Sequence, residues 1–299
     1  MQSSGLPPRA DRIFGIKLTA TAAIILVVLL AFPTVLTVLY SLHDVPANGT
    51  SLGPFVGTEN YQIVFGAQKF WRSAWTTLVF SVGFVIFSTL IGLAMAVLLN
   101  QKFLGRGLAR AILIIPWATP WLVIGILWKW YADGSVGGLN AVLMMLGLST
   151  EYHDFLSDPN TALPITILAA VWRQASFAGI LLLAGLQTLP EELNEAAQLD
   201  GANLWQRFMN VTIPWLRPVL VTVTVLNVIY AFLQFDVVFA MTQGGPGDTT
   251  EVLSILIYRQ LFGVTQIGIG SAIAVILGVV ALIGGLLTVK LLYRQETVQ

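Results

Sequence analysis

Six long apolar stretches set the limits on what this chain can be: Ile16 to Leu42, Ser73 to Leu99, Leu108 to Tyr131, Ala162 to Leu186, Pro218 to Met241 and Gly268 to Leu292. A helix needs about 20 apolar residues to cross a hydrocarbon core about 30 Å thick, so each stretch is long enough to span a bilayer. With 56% hydrophobic and only 10% charged residues, the chain cannot clothe a water-facing surface of its own size. The expected fold is therefore an all-α integral membrane protein with six transmembrane helices. The first stretch follows Arg9, Arg12 and Lys17, but it is longer than the roughly 7–15 apolar residues of a signal-peptide core and is expected to stay as an anchor.

Orientation follows from the positive charges, because Lys and Arg accumulate on the cytoplasmic side. With the N-terminus inside, the inner segments hold Arg9, Arg12, Lys17, Lys102, Arg106, Arg110, Arg207, Arg217, Lys290 and Arg294. The outer segments hold only Lys69, Arg72, Lys129 and Arg259. Both termini are therefore expected in the cytoplasm, with residues 1–15 forming a short cytoplasmic lead-in to the span-bearing region 16–293. The outer connection from Ala132 to Thr161 agrees, since it carries Asp133, Glu151, Asp154 and Asp158 but neither Lys nor Arg. The outer connections are too short for a large independent domain.

Helix breakers fall inside two spans. Pro116 and Pro120 interrupt the third, either as a packing kink or as a bend that shapes a pathway. Gly268, Gly270, Gly278, Gly284 and Gly285 make the last span rich in small residues, which suits close helix packing. Trp71, Trp75, Trp128, Trp130 and Tyr131 lie near span ends, where aromatic rings serve as interfacial anchors.

The segment 187–217 between the fourth and fifth spans is polar and, at about thirty residues, too long for a mere connector. Thr188 with Glu191 three residues on has the form of a capping box, and Pro190 is tolerated in a first helical turn. In the helix that follows, Leu193, Ala196 and Ala197 share one face, while Glu191, Glu195 and Gln198 share another. Gly201 suits the left-handed position that ends a helix. Asn203 can cap the next, whose Trp205, Phe208, Met209 and Thr212 recur at i, i+3, i+4 and i+7. Pro214 and Pro218 discourage uninterrupted continuation of that helix into the fifth span. Periodicity alone leaves open whether the hairpin lies on the inner membrane surface or docks onto another protein.

The spacing adds more. Glu195-Ala196-Ala197, three residues, Gly201, nine residues, then Val211-Thr212-Ile213-Pro214 resembles the cytoplasmic motif of permease subunits in bacterial ATP-binding-cassette importers. In that family the motif reads Glu-Ala-Ala, three residues, Gly, nine residues, Ile, any residue, Leu-Pro, so Val211 and Ile213 are conservative departures. Val171-Trp172-Arg173, Leu182-Leu183-Ala184-Gly185-Leu186 and Gly244-Gly245-Pro246 resemble its sugar-permease branch. The resemblance implies that 187–217 is a coupling-helix pair, with Glu195, Ala196, Ala197, Asp200, Gly201 and Pro214 as the ATPase-coupling residues. It also implies a second homologous permease, two ATP-binding-cassette subunits that hold ATP and Mg, and an extracytoplasmic solute-binding protein, all in a bacterial inner membrane. The chain itself contains no G-x-x-x-x-G-K-[ST] phosphate loop, so it is expected to bind no cofactor and to carry no catalytic residue.

Polar groups at membrane depth are candidates for the pathway, because each is costly in lipid. Arg173 and Gln174 lie in the fourth span and Asn227, Gln234 and Asp236 in the fifth. By resemblance to the maltose permease, sugar-contacting positions fall on Arg173, Gln174, Phe177, Tyr230, Ala231 and Gln234. Rings that stack on a sugar's C–H face and amides that exchange hydrogen bonds with its hydroxyls suit that role. Two of these positions depart from the family pattern, since Arg173 replaces an apolar residue and Ala231 an amide, which puts maltose itself in doubt. Arg173 either pairs with Asp236 across adjacent spans or meets an anionic substrate.

Other classes are less well served. A zero formal net charge argues against a nucleic-acid partner, and with no Cys and with His43 and His153 isolated in outer connections no metal site is expected. An ion-coupled secondary transporter could use Arg173 and Asp236 as its coupling pair but would not explain the Glu195 motif.

Overall fold

The computed structural model describes residues 9–49 and 51–293, so the lead-in before residue 9 and Arg294 lie outside the described residues. The regular elements are α1 (Arg9–Ser41), α2 (Glu59–Gly66), α3 (Gln68–Asn100), α4 (Arg106–Ala118), α5 (Trp121–Tyr131), α6 (Gly138–Met145) and α7 (Ala162–Leu186). They continue with α8 (Glu191–Leu199), α9 (Leu204–Arg207), α10 (Ile213–Phe232), α11 (Asp236–Met241), α12 (Leu253–Tyr258) and α13 (Ile267–Tyr293). Two π turns, Phe208–Thr212 and Arg259–Gly263, precede α10 and follow α12. Among the described residues, five helical runs are long and apolar enough to cross a membrane, or six if the bent pair of α4 and α5 is one span.

Contacts divide the chain into two compact units. One combines Met1–Gly66 with Gln260–Val275. Its long helix α1 turns apolar side chains outward, with Leu29 and Leu30 about two-thirds exposed, as a helix surrounded by lipid or by another subunit requires. Asn60 of α2 is buried and donates from Nδ2 to the carbonyls of Ser41 and His43, both at 3.0 Å, which satisfies the end of α1. A Cβ on Gly268 would meet the His43 carbonyl oxygen at 2.6 Å, so this backbone approach requires glycine.

The second unit combines Ala67–Arg259 with Ile276–Gln299. Its interior is built on α3 against α7, where a Cβ on Gly92 would sit 2.6 Å from the Ala178 Cβ. Small residues let the two backbones approach, the usual device for joining helices where water supplies no hydrophobic drive. Phe80, Phe84, Ile124, Val171 and Val237 fill one end of this core, and Leu113, Leu182, Leu186 and Leu216 the other. In this unit α13 packs closely at Gly284, against Phe232 and Val228, whereas Gly278 faces open space.

The third span breaks, as its prolines imply: α4 and α5 are bent by 100° relative to each other. Thr119, forced extended by the following Pro120, ends α4, and Pro116 is accommodated inside it. The fifth span also breaks, at residues 233–235 between α10 and α11. Conversely, Pro214 and Pro218 do not stop the helix before that span, which runs without interruption over Leu204–Phe232. The π turn at Phe208–Thr212 widens the backbone immediately before Pro214, so the proline ring enters a turn already open. Among the aromatic anchors, Trp128 differs by packing inward, edge-to-face on Trp172 and Tyr131.

Candidate coupling and translocation sites

The hairpin between spans four and five is built from local rules. Helix α8 ends in a Schellman motif: Ala202 N–H donates to the Ala197 carbonyl at 2.9 Å and Gly201 N–H to that of Gln198 at 3.0 Å. Gly201 sits at φ +80°, the left-handed region its position demands. Asn203 and Gln206 then form a full capping box at the start of α9. The other expected box does not form. Thr188 Oγ1 instead donates to the Gly185 carbonyl and accepts from Trp215 Nε1, and Pro190 takes the N-cap of α8 without a side-chain hydrogen bond.

This hairpin displays apolar side chains at its tip, with Leu199 90%, Leu204 78% and Trp205 65% exposed. Glu195, Ala196, Asp200, Gly201 and Pro214 are also exposed, and Ala197 is half-buried. Glu195 lines a groove of about 1030 Å³ that runs from Leu90 and Leu98 of α3 to Lys102, Trp205 and Arg207.

At the bend of the third span, Arg173 Nε donates to the Thr119 carbonyl at 2.9 Å, and the guanidinium lies 4.1 Å over the Trp121 ring. That carbonyl is freed by the helix break, so a cation at membrane depth is met by a backbone dipole and an aromatic face. Asp236 is not its partner. It is exposed in the first turn of α11, and no ion pair joins it to Arg173 among the described residues.

Phe177 is half-buried and stacks on Trp117 at 6.0 Å, and Tyr230 is exposed near the end of α10. Gln174 is buried: its Nε2 donates to Asn227 Oδ1 at 2.7 Å, and Asn227 Nδ2 donates in turn to Thr89 Oγ1 at 3.0 Å. It therefore links α3, α7 and α10 instead of facing open space. Ala231 is likewise buried. Gln234 lies in the break between α10 and α11, buried, with its carbonyl accepting from Ser254 Oγ at 2.5 Å. Trp117 and Trp121, which frame the bend, escaped the sequence reading; their signal was their place on either side of Thr119-Pro120.

A charge cluster at the loop after α11 also escaped it. Glu251, fully buried, accepts from Ser73 Oγ at 3.1 Å and pairs with Arg259 and with Lys69, the latter at 3.5 Å. Asp248 joins both cations, and the hydrogen bond from Arg259 holds its carboxyl below the usual carboxylate range. A Cβ on Gly244 would crowd Arg259 Nη2 at 3.2 Å, which accounts for glycine in the Gly244-Gly245-Pro246 run. In the connection after α5, buried Asn140 bridges the carbonyls of Asp133 and His153 and accepts from His153 N–H, so that segment is pinned to one conformation.

Residues 88–295 match the family model described as the binding-protein-dependent transport system inner membrane component. The chain belongs to this family. Among its relatives, the trehalose/maltose transport system permease protein MalF of Thermococcus litoralis is 40% identical over 77% of this chain and 77% of its own length. The sulfoquinovosyl glycerol transport system permease protein SmoG of Agrobacterium fabrum is 34% identical over 89% of this chain and 86% of its own. The inner membrane ABC transporter permease protein YcjO of Escherichia coli is 33% identical over 94% and 95%. In fold, the permease superposes with a TM-score of 0.82 on a crystal structure of a bacterial ABC transporter involved in alginate import, at 23% identity over 96% of this chain and 97% of that one. The protein is thus a multi-pass inner-membrane permease of a binding-protein-dependent importer, a translocation subunit and not a catalytic one.

Proposed function

We propose that this permease conducts a sugar or sugar-like solute inward in a complex driven by two ATP-binding-cassette subunits, one of which docks on the α8–α9 hairpin. The observation that carries the coupling role is the hairpin's exposed apolar tip of Leu199, Leu204 and Trp205 beside the Glu195 carboxylate. An apolar patch rimmed by charge is costly in water and is the ordinary signature of a protein contact. In this reading Glu195 makes a charged contact, Ala196 and Ala197 allow close approach, and Gly201 holds the turn while Asp200 and Pro214 frame it. ATP and Mg belong to the partners. A second homologous permease completes the pathway, and a solute-binding protein delivers substrate to the opposite side, with both termini of this chain in the cytoplasm.

The sugar reading is supported by the names of the trehalose/maltose and sulfoquinovosyl glycerol relatives. The region around the bend offers matching chemistry: rings at Trp117, Trp121, Phe177 and Tyr230, and the Arg173 guanidinium, whose fork suits a hydroxyl-rich or anionic substrate. Gln174 serves from behind, through Asn227. An ion-coupled transporter could have used Arg173 and Asp236 as its pair, and no ion pair joins them among the described residues.

The test is Glu195→Lys in the assembled complex. The expected result is normal membrane insertion with reduced ATPase retention on purification and loss of uptake. A variant that keeps its ATPases and transports normally would overturn the coupling assignment.

A further inference from the structure

Arg110, on α4, holds the C-terminal ends of two other helices at once. Its Nη2 donates to the Leu99 carbonyl in the last turn of α3 at 3.0 Å. With the Gln187 amide oxygen turned toward the guanidinium, Nη1 and Nη2 also donate to it at 3.0 and 2.8 Å. Gln187 is the C-cap of α7. A cation is favoured where unpaired helical carbonyls gather, and only a guanidinium presents enough rigid donors to serve both sites.

The other end of α4 is held by the reverse arrangement, since Arg173 of α7 donates to Thr119, the C-cap of α4. Each of these two helices thus lends an arginine to the end of the other. Leu113, buried between them, contacts α7 near Gly179. Helix α4 is therefore clamped along α7 at both ends, over roughly 20 Å at 1.5 Å per residue. Between Gln187 and α8 the backbone is a tight turn, closed by Thr188 N–H on the Gly185 carbonyl and Leu189 N–H on that of Leu186. No slack chain separates Arg110 from the hairpin.

We propose that Arg110 is a positioning residue for transport: through Gln187 it makes α4 move with the coupling hairpin, so that a displacement at α8 reaches the bend at Thr119-Pro120. This rests on the hairpin being the ATPase contact.

The experiment compares Arg110→Gln, Gln187→Leu and the double variant in the full complex in lipid vesicles, reading substrate taken up per ATP hydrolysed. Both single variants are expected to retain their ATPases and hydrolyse ATP while uptake per ATP falls by about tenfold, within the usual range of coupling between sites. The double variant should lose no more than Arg110→Gln alone, because Gln187→Leu breaks a link that Arg110→Gln has already removed. Gln187→Glu, which strengthens the contact with a charge, should transport normally. Arg110→Lys should lose uptake per ATP as Arg110→Gln does, since an ammonium cannot bridge both acceptors. If Arg110→Gln fails to insert, Gln187→Leu reads the same link without removing a charge. Wild-type uptake per ATP in Gln187→Leu, or additive losses in the double variant, would overturn the clamp. Should Glu195→Lys also transport normally, the hairpin reading itself falls; should Glu195→Lys uncouple while Gln187→Leu does not, only the clamp does.

Discussion

Arg173 and Thr119, 54 residues apart, are joined by a hydrogen bond from Nε to the carbonyl at 2.9 Å, at the point where the third span bends by 100°. The bond explains how an arginine is tolerated at membrane depth without a carboxylate. A hydrogen bond from a charged donor contributes about 1.5–3 kcal/mol, so Arg173→Gln should destabilise the purified complex by an amount of that order and reduce uptake. Asp236→Ala should transport like the parent, and exchanging the two residues should rescue nothing. Recovery of uptake by Arg173→Asp with Asp236→Arg would contradict the arrangement.

The buried chain Gln174–Asn227–Thr89 predicts non-additive stability. Gln174→Leu leaves Asn227 Oδ1 without its donor, at a cost of about 1 kcal/mol for an interhelical hydrogen bond in a membrane. Replacing Asn227 with Leu as well removes the stranded group, so the double variant should be less destabilised than the sum of the singles. Thermal unfolding in detergent measures this, and strictly additive losses would show that the chain is not a unit.

Gly201 offers a cleaner probe of backbone geometry. It sits at φ +80°, and no atom lies within 4 Å of where a Cβ would be. Any effect of Gly201→Val is therefore conformational, about 1–2 kcal/mol for a left-handed L-residue. Uptake should fall in the order Gly, Asn, Val, because Asn tolerates this region better. Equal uptake by Asn and Val variants would mean that the turn is not what matters there.

These outcomes also mark what was legible in the amino-acid sequence. The spans followed from length and hydropathy, and Gly201 and the Asn203 cap from rules that act within a few residues. What escaped was non-local. The Thr188 hydroxyl accepts from Trp215, 27 residues away, and Pro190 takes the N-cap of α8. Arg173 found a carbonyl that exists as a free acceptor only because a different helix breaks. Glu251 is buried against Ser73, 178 residues earlier, and no local pattern announces that meeting. Helix α10 ran past two prolines because a π turn, invisible to a 3.6-residue period, widened the backbone first. The supposed pathway residues divided for the same reason: Gln174 shares a helix turn with Arg173, yet neighbouring helices bury one and leave the other half-open.

The most direct test of the whole account is uptake into lipid vesicles that hold the complete complex of this permease, its homologous partner and the ATPases, with the solute-binding protein loaded with sugar on the receptor side. Sugar accumulation is expected to require both ATP and the binding protein, to be neither replaced nor accelerated by ion gradients, and to be abolished by Glu195→Lys. Accumulation driven by a proton or sodium gradient in the absence of ATP, unaffected by Glu195→Lys, would contradict it.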